Sequence, residues 1–176
     1  LTQGEIVTAD NNLTDADGIG AFSYQWKADD NNISGATATT YTLTQSEVDK
    51  NITVTISYTD AQGTPESVIS NATNPVANAN DAPIGDVTIS GNLTQGEIVT
   101  ADNNLTDADG LTTAVFSYQW KADGTDIAES NASTYLLTQN EVDKNITVTV
   151  SHTDEGNTNE SVTSNATTPV ANANDD

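Results

Sequence analysis

The chain has no cysteine, no methionine and no arginine, and a single histidine among its 176 residues. Without cysteine it forms neither disulfides nor thiolate metal sites. Its four lysines stand against 26 acidic residues, which gives a formal net charge of -22 at pH 7. Phosphate binding needs clustered basic side chains, so nucleic acid is excluded as a natural partner, and the same argument disfavours anionic membranes. Membrane insertion is not expected either, because no apolar run approaches the roughly 18 residues of a membrane span.

Hydrophobic residues are also scarce, at 35% of the chain. Low hydrophobicity with high net charge is typical of disordered chains, but the pattern here predicts folded strands. The stretches "ITVTISY" (52–58) and "ITVTVSH" (146–152) alternate apolar and polar residues, as half-buried strands do. No helical period occurs, so the pattern predicts an all-β protein.

The chain consists of two similar copies of one sequence. The stretch "LTQGEIVTADNNLTDADG" at 1–18 recurs letter for letter at 93–110, and most of the later motifs recur as well. A period this long predicts tandem domains rather than a solenoid. Tyr58 in the first copy is His152 in the second, so the histidine is not essential to a function that both copies share.

Each copy reads as an antiparallel β-sandwich of about seven short strands, similar to an immunoglobulin domain. Trp26 and Trp120 fall in the middle of the third predicted strand, where they are expected to pack on Val54, Val148, Leu43 and Leu137. In the second copy the predicted strands, from A to G, are 86–90, 97–101, 115–122, a short strand near 127, 133–137, 146–152 and 160–170.

The predicted domains are 1–80 and 81–176, joined by a linker at about 76–85. The second copy has "IGDVTISGN" (84–92) ahead of its repeat and the first copy does not, so the first domain is predicted to lack strand A. A chain that starts in the middle of a pattern is expected to be a segment of a longer protein.

The motifs "SYQW", "TYLLTQNEVDKNITVTVSHTD", "ESVTSNAT" and "NDAP" resemble the tandem immunoglobulin-like extender repeats of giant RTX-type bacterial surface adhesins. The resemblance implies an extracellular stalk segment that takes part in cell adhesion or biofilm formation. It also implies neighbouring repeats of the same chain as partners and stiffening by calcium. The glycine-rich RTX nonapeptide is absent, so the secretion signal and the adhesive tip are expected elsewhere in the parent protein.

Acidic residues collect in loops that a sandwich of this topology brings to the domain ends. Hard oxygen donors without soft ligands favour calcium, which takes 6 to 8 oxygens, over magnesium, which requires a strict octahedron. The predicted site lies at the junction and comprises Glu5, Glu47, Asp49, Asn78, Asn80, Asp81, Asp107, Asp109 and Asp154. Half-sites are predicted at Asp15, Asp17, Asp60, Glu97, Glu141, Asn174 and Asp175.

The set is similar to the calcium-binding arrangement of cadherins. There a glutamate near the AB turn, a second acid from the EF side, a linker of the form "DxNDN" and a "DxD" in the next domain share calcium ions. By that resemblance Glu5, Glu47 or Asp49, Asn80 with Asp81, and Asp107 with Asp109 take those parts. Asn78 replaces the leading aspartate of the cadherin linker, which implies fewer or weaker ions.

Three alternatives to this hypothesis stay open. The acids could simply form turns, since Asp and Asn cap and tolerate left-handed conformations and the glycine of "DADG" suits a type I turn. The chain could instead be a glycan- or protein-binding module, or a subunit of an extracellular filament. An enzyme with a small-molecule substrate is not expected, because the paired carboxylates lie on exposed turns without a pocket to raise a pKa.

Overall fold

The computed structural model describes residues 1–173, and in that range it contains β-strands and two short 3₁₀ turns but no α-helix. Contacts divide the chain into two compact units, Leu1–Ala79 and Asn80–Asp176. Among the described residues, no helix has the length and apolarity required to cross a bilayer.

The first unit has six strands in two antiparallel sheets. One sheet pairs β1 with β4, and the other has the order β3-β2-β5-β6. A 3₁₀ turn, Gln45–Glu47, connects β4 to β5. The strands are β1 (Ile6–Thr8), β2 (Ser23–Ala28), β3 (Asn31–Asn32), β4 (Thr40–Thr42), β5 (Ile52–Thr59) and β6 (Pro65–Ile69).

The second unit has the same plan with one further strand. Its sheets have the orders β11-β8-β7 and β10-β9-β12-β13, and the 3₁₀ turn Gln139–Glu141 precedes β12. The strands are β7 (Val87–Gly91), β8 (Ile98–Asn103), β9 (Ser117–Ala122), β10 (Thr125–Asp126), β11 (Thr134–Leu136), β12 (Ile146–Thr153) and β13 (Asn159–Thr163).

Each unit closes its own hydrophobic core between its two sheets, which confirms the predicted all-β sandwich fold. In the second unit Trp120 is fully buried in one cluster with Leu137 and Val148. In the first unit Trp26 shares a cluster with Leu43 and Val54. The buried residues alternate along β12 because a strand presents every second side chain to the core.

The first unit has no counterpart of β7 among the described residues, as the sequence predicts. In the second unit β7 pairs with β8 from Val87↔Asn103 to Gly91↔Val99. The copy of β8 in the first unit, β1, has an identical sequence but forms only three residues of strand instead of six. The paired strand therefore determines how far this sequence stays extended.

The prediction of the last strand, 160–170, is wrong for its second half. Strand β13 ends at Thr163. Beyond it the backbone N–H groups of Ser164 and Thr167 still donate to the carbonyls of Val148 and Ile146, and isolated parallel bridges form at Val170 and Ala171. In between, the hydroxyls of Ser164 and Thr167 accept hydrogen bonds from the backbone N–H groups of β12. Side-chain hydroxyls thus take the place of backbone carbonyls as acceptors for β12 there.

Candidate metal-binding loops

The loop that carries "TDADG" is a hydrogen-bonded turn in both units. In the second unit Asp107 Oδ1 accepts a hydrogen bond from the backbone N–H of Asp109 (2.8 Å), and Gly110 adopts a φ of 96°. Asp15 and Asp17 repeat the contact at 2.8 Å. The turn interpretation therefore accounts for one carboxylate oxygen of Asp107. The other, Oδ2, is buried and has no hydrogen-bond partner among the described residues.

The pairing of β12 with β13 sets His152 directly opposite Glu160. His152 Nε2 lies 3.5 Å from Glu160 Oε2 and 3.7 Å from Asp107 Oδ2, and its side chain has no exposed surface. All three atoms lack a hydrogen-bond partner within the described chain. The three groups thus face one another across a small space, and, besides burial, a side-chain hydrogen bond between the protonated Glu160 carboxyl group and the Asp107 carboxylate is one cause that raises the pKa of Glu160.

Asp154 and Glu160 add negative charge to the same place. Asp154 Oδ1 accepts from the backbone N–H of Thr158 (2.7 Å), whereas its buried Oδ2 is unsatisfied. Burial raises the pKa of Glu160, and the nearby carboxylates of Asp107 and Asp154 raise it further. Such a shift is the expected response of acids that are packed together without a compensating cation.

Two residues of the predicted linker lie against this loop within the second unit. Asn80 Nδ2 donates to Glu160 Oε1 (2.8 Å), and the backbone N–H of Asp81 donates to Asp109 Oδ2 (2.7 Å). The structure thus brings together part of the predicted ligand set, namely Asn80, Asp81, Asp107, Asp109 and Asp154. The metal-binding role of these residues stays a prediction.

His152 and Glu160 belong to this cluster, and sequence reasoning missed both. The substitution of tyrosine by histidine was visible in the repeat, and Glu160 was visible in "ESV". The signal that links them is the pairing register of β12 and β13, because residues opposite each other share a face. An explicit alignment of the two predicted strands would have found the pair.

The predicted ligands of the first unit have local partners. Glu47 is buried, and its Oε2 accepts from the backbone N–H (2.9 Å) and the hydroxyl (2.8 Å) of Thr44, forming a capping box. Glu5 Oε2 accepts from the backbone N–H of Thr2 (2.8 Å). Asp49 adopts a left-handed φ of 64°, and Asn78 is exposed. These features are typical of turns. Metal binding by these residues stays a prediction.

The predicted half-sites divide into two kinds. In the first unit, ligand oxygens of Asp15, Asp60 and Glu66 lie within 4.8 Å of one another. Tyr58 donates its hydroxyl proton to Asp15 Oδ2 (2.9 Å), and this bond raises the pKa of Tyr58 to about 12. The remaining predicted half-site residues lie elsewhere: Asp17 is exposed on its turn, Glu97 is exposed, Glu141 is buried in a capping box, and Asn174 and Asp175 lie outside the described residues.

The fold and these loops define a class, that of tandem β-sandwich units with acidic loops. A comparison with protein-family models finds no match. A comparison with curated proteins finds no match either.

Proposed function

We propose that the chain is a calcium-binding extender segment of a bacterial cell-surface adhesin, acting as a stalk in cell adhesion or biofilm formation. The observation that carries the proposal is that the sequence repeat folds into two similar units. Two units of near-identical sequence each close a core of their own, and each carries a cluster with acidic side chains at equivalent positions. Repeated self-contained units suit a spacer, because length then grows by duplication without a new core.

Calcium is the proposed ion because the predicted ligands are carboxylate and amide oxygens. The acids of the second unit are packed around Asp107 and Asp109, while Lys121 pairs with Asp126 instead (3.3 Å). A bound cation would remove their mutual repulsion. We propose that ions held where the second unit begins stiffen the chain at the 76–85 linker, with the predicted acids of the first unit as further ligands.

The burial of both tryptophans supports a structural role over a sugar-binding module. Trp26 and Trp120 lie in the cores, and each indole N–H donates to a backbone carbonyl of its own unit. Neither ring is therefore presented to a ligand. On this proposal the chain is extracellular, its partners are neighbouring repeats, and it carries out no catalysis.

Small-angle X-ray scattering tests the proposal. We expect protein stripped of metal to show a broad distribution of interatomic distances, and calcium added alone to lengthen and sharpen it. Calorimetric titration with calcium should lose heat in Asp81→Ala and Asp107→Ala but not in the control Asp10→Ala, whose side chain is exposed outside the predicted sites. An unchanged maximum dimension with calcium would overturn the stiffening role. Unchanged heat in both variants would show that these acids stabilise turns and do not bind calcium.

A further inference from the structure

The two units carry chemically different side chains at one buried position, although the neighbouring residues are equivalent. Tyr58 and His152 occupy equivalent places on β5 and β12, each opposite a glutamate on the neighbouring strand. Each ring meets a phenylalanine edge-on with centroids 5.8 Å apart, Phe22 in the first unit and Phe116 in the second. The fold therefore accepts either ring. What changes is the polar atom that the ring directs at the acids.

We propose that Asp107, His152 and Glu160 form a site for a divalent transition metal of the zinc class, which the first unit lacks. This site shares Asp107 with the proposed calcium cluster, but the observations that support it hold whether or not calcium binds. It rests on the buried imidazole, whose Nε2 has no hydrogen-bond partner among the described residues although two carboxylate oxygens face it. Imidazole nitrogen suits zinc, copper, iron or nickel, whereas calcium prefers oxygen ligands alone.

The distances fit ligands around an ion better than a charged hydrogen bond. An imidazolium bonded to a carboxylate places nitrogen and oxygen about 2.7–2.9 Å apart. Here Nε2 lies 3.5 Å from Glu160 Oε2 and 3.7 Å from Asp107 Oδ2. Ligands of a tetrahedral zinc ion, with bonds of about 2.0–2.1 Å, are separated by about 3.3 Å. The three ligand atoms all lie within 4.8 Å of one another, so small side-chain adjustments would close the site.

Access and affinity also follow from the surroundings. A groove of about 270 Å³, lined in part by His152, Glu160 and Val115, borders the site and offers a route from solvent. His152 Nδ1 has no acceptor within the described chain. Zinc sites without this outer hydrogen bond bind about 10–100-fold more weakly. We therefore expect an affinity about 10–100-fold weaker than that of a site with this hydrogen bond.

The first unit supplies the matched control. There the Tyr58 hydroxyl satisfies Asp15 Oδ2, and the cluster with Asp60 and Glu66 contains only oxygen ligands. His152→Tyr converts the second unit to the pattern that the first unit already folds with. Tyr58→His makes the reverse change and should place an imidazole beside Asp15 and Glu66.

The experiment is a titration of tag-free protein with Zn²⁺ in calcium-free buffer. The single histidine makes its ring signals in NMR unambiguous. We expect one zinc per chain with a shift of the His152 ring signals, loss of binding in His152→Tyr, and a second zinc in Tyr58→His. Co²⁺ should give the visible absorption of a tetrahedral nitrogen–oxygen site in the unsubstituted chain. The absorption should be stronger in Tyr58→His and absent in His152→Tyr.

Two results would overturn the proposal. One is a set of His152 ring signals that do not move at saturating zinc. The other is unchanged zinc stoichiometry and affinity in His152→Tyr. Should that variant lose its fold, a failure of folded Tyr58→His to gain a zinc would overturn it equally. Neither result bears on the calcium proposal, because calcium-dependent scattering is measured without zinc.

Discussion

At the level of single residues, Glu47 and Glu141 show how a side chain expected to bind an ion can serve the backbone. Glu141 is 3% exposed, and its Oε2 accepts from the backbone N–H (2.9 Å) and the hydroxyl (2.7 Å) of Thr138. Glu47 does the same with Thr44 in the first unit. A capping box satisfies donors at the start of a helical turn that have no partner within the turn.

Glu141→Ala is therefore expected to destabilise the second unit by about 0.5–1.5 kcal/mol, because it removes the capping-box hydrogen bonds to the exposed Thr138, whose donors can bond to water instead. The measurement is urea unfolding followed by fluorine NMR of protein labelled with 5-fluorotryptophan, since each unit holds one tryptophan. Glu97→Ala, which removes an exposed glutamate, is the control and should leave the Trp120 transition unchanged. A loss of stability that appears only when calcium is present would instead mark Glu141 as a metal ligand.

Asp60 should make the first unit sensitive to acid. Its Oδ1 accepts from the backbone N–H groups of Thr64 (2.7 Å) and Gln62 (2.9 Å), and the bond from Thr64 is the main cause that lowers the pKa of Asp60. A folded-state pKa below the unfolded value of about 3.9 contributes stability above that pH, and the contribution is lost as pH falls through the folded value.

Asp60→Asn tests this prediction in metal-free buffer. The variant should be less stable than the unsubstituted chain at pH 7, and the difference should shrink as pH falls below about 4. The Trp26 signal in urea unfolding at several pH values measures it. A difference that stays constant with pH would show that the charge of Asp60 does not stabilise the fold.

At the level of strands, the point at which β13 ends depends on two hydroxyls. Ser164 Oγ accepts from the buried backbone N–H of Val148 (3.1 Å), and Thr167 Oγ1 accepts from that of Ile146 (3.0 Å). The first unit repeats both contacts through Ser70 and Thr73. The hydroxyls let the chain leave the sheet without stranding the N–H groups of β12.

Ser164→Ala should cost about 1–3 kcal/mol, because the Val148 N–H loses its only side-chain acceptor within the buried sheet. Hydrogen exchange of the Val148 amide should accelerate accordingly. Ser161→Ala, at an exposed position of β13, is the matched control and should leave that amide protected. Equal protection in both variants would show that the hydroxyl does not hold this amide.

The sequence predicts the strands well where one side chain in two is buried. The alternation in β12 and the tryptophan of β9 are such cases, because burial selects the pattern directly. The end of β13 is not predictable in this way, since serine and threonine hydroxyls imitate a backbone partner without changing the pattern. The candidate site was predicted only in part, because some of its residues stand in a visible motif and others do not. Asp107 and Asp109 stand out in a motif, whereas His152 and Glu160 become neighbours only through strand register.

At the level of the whole molecule, one sequence written twice takes two conformations. Residues 98–103 form all of β8, but the identical residues 6–11 form strand only as far as Thr8. In the second unit Val87 of β7 is 4% exposed and belongs to the core, and β7 pairs along β8. The missing neighbour therefore explains the shorter strand without any difference in local propensity.

Adding "IGDVTISGN" ahead of Leu1 should therefore stabilise the first unit. The valine that copies Val87 would gain about 1.5–3 kcal/mol from burial. The amide of Asp10 should become protected as the strand lengthens, whereas that of Ala9 already donates to the carbonyl of Thr39. Fluorine NMR during urea unfolding should show a higher midpoint for Trp26, while the Trp120 midpoint serves as the internal reference. The same extension with aspartate in place of that valine is the control, because a buried charge would cancel the gain. An unchanged Trp26 midpoint with the unmodified extension would show that strand length here is set by something other than its neighbour.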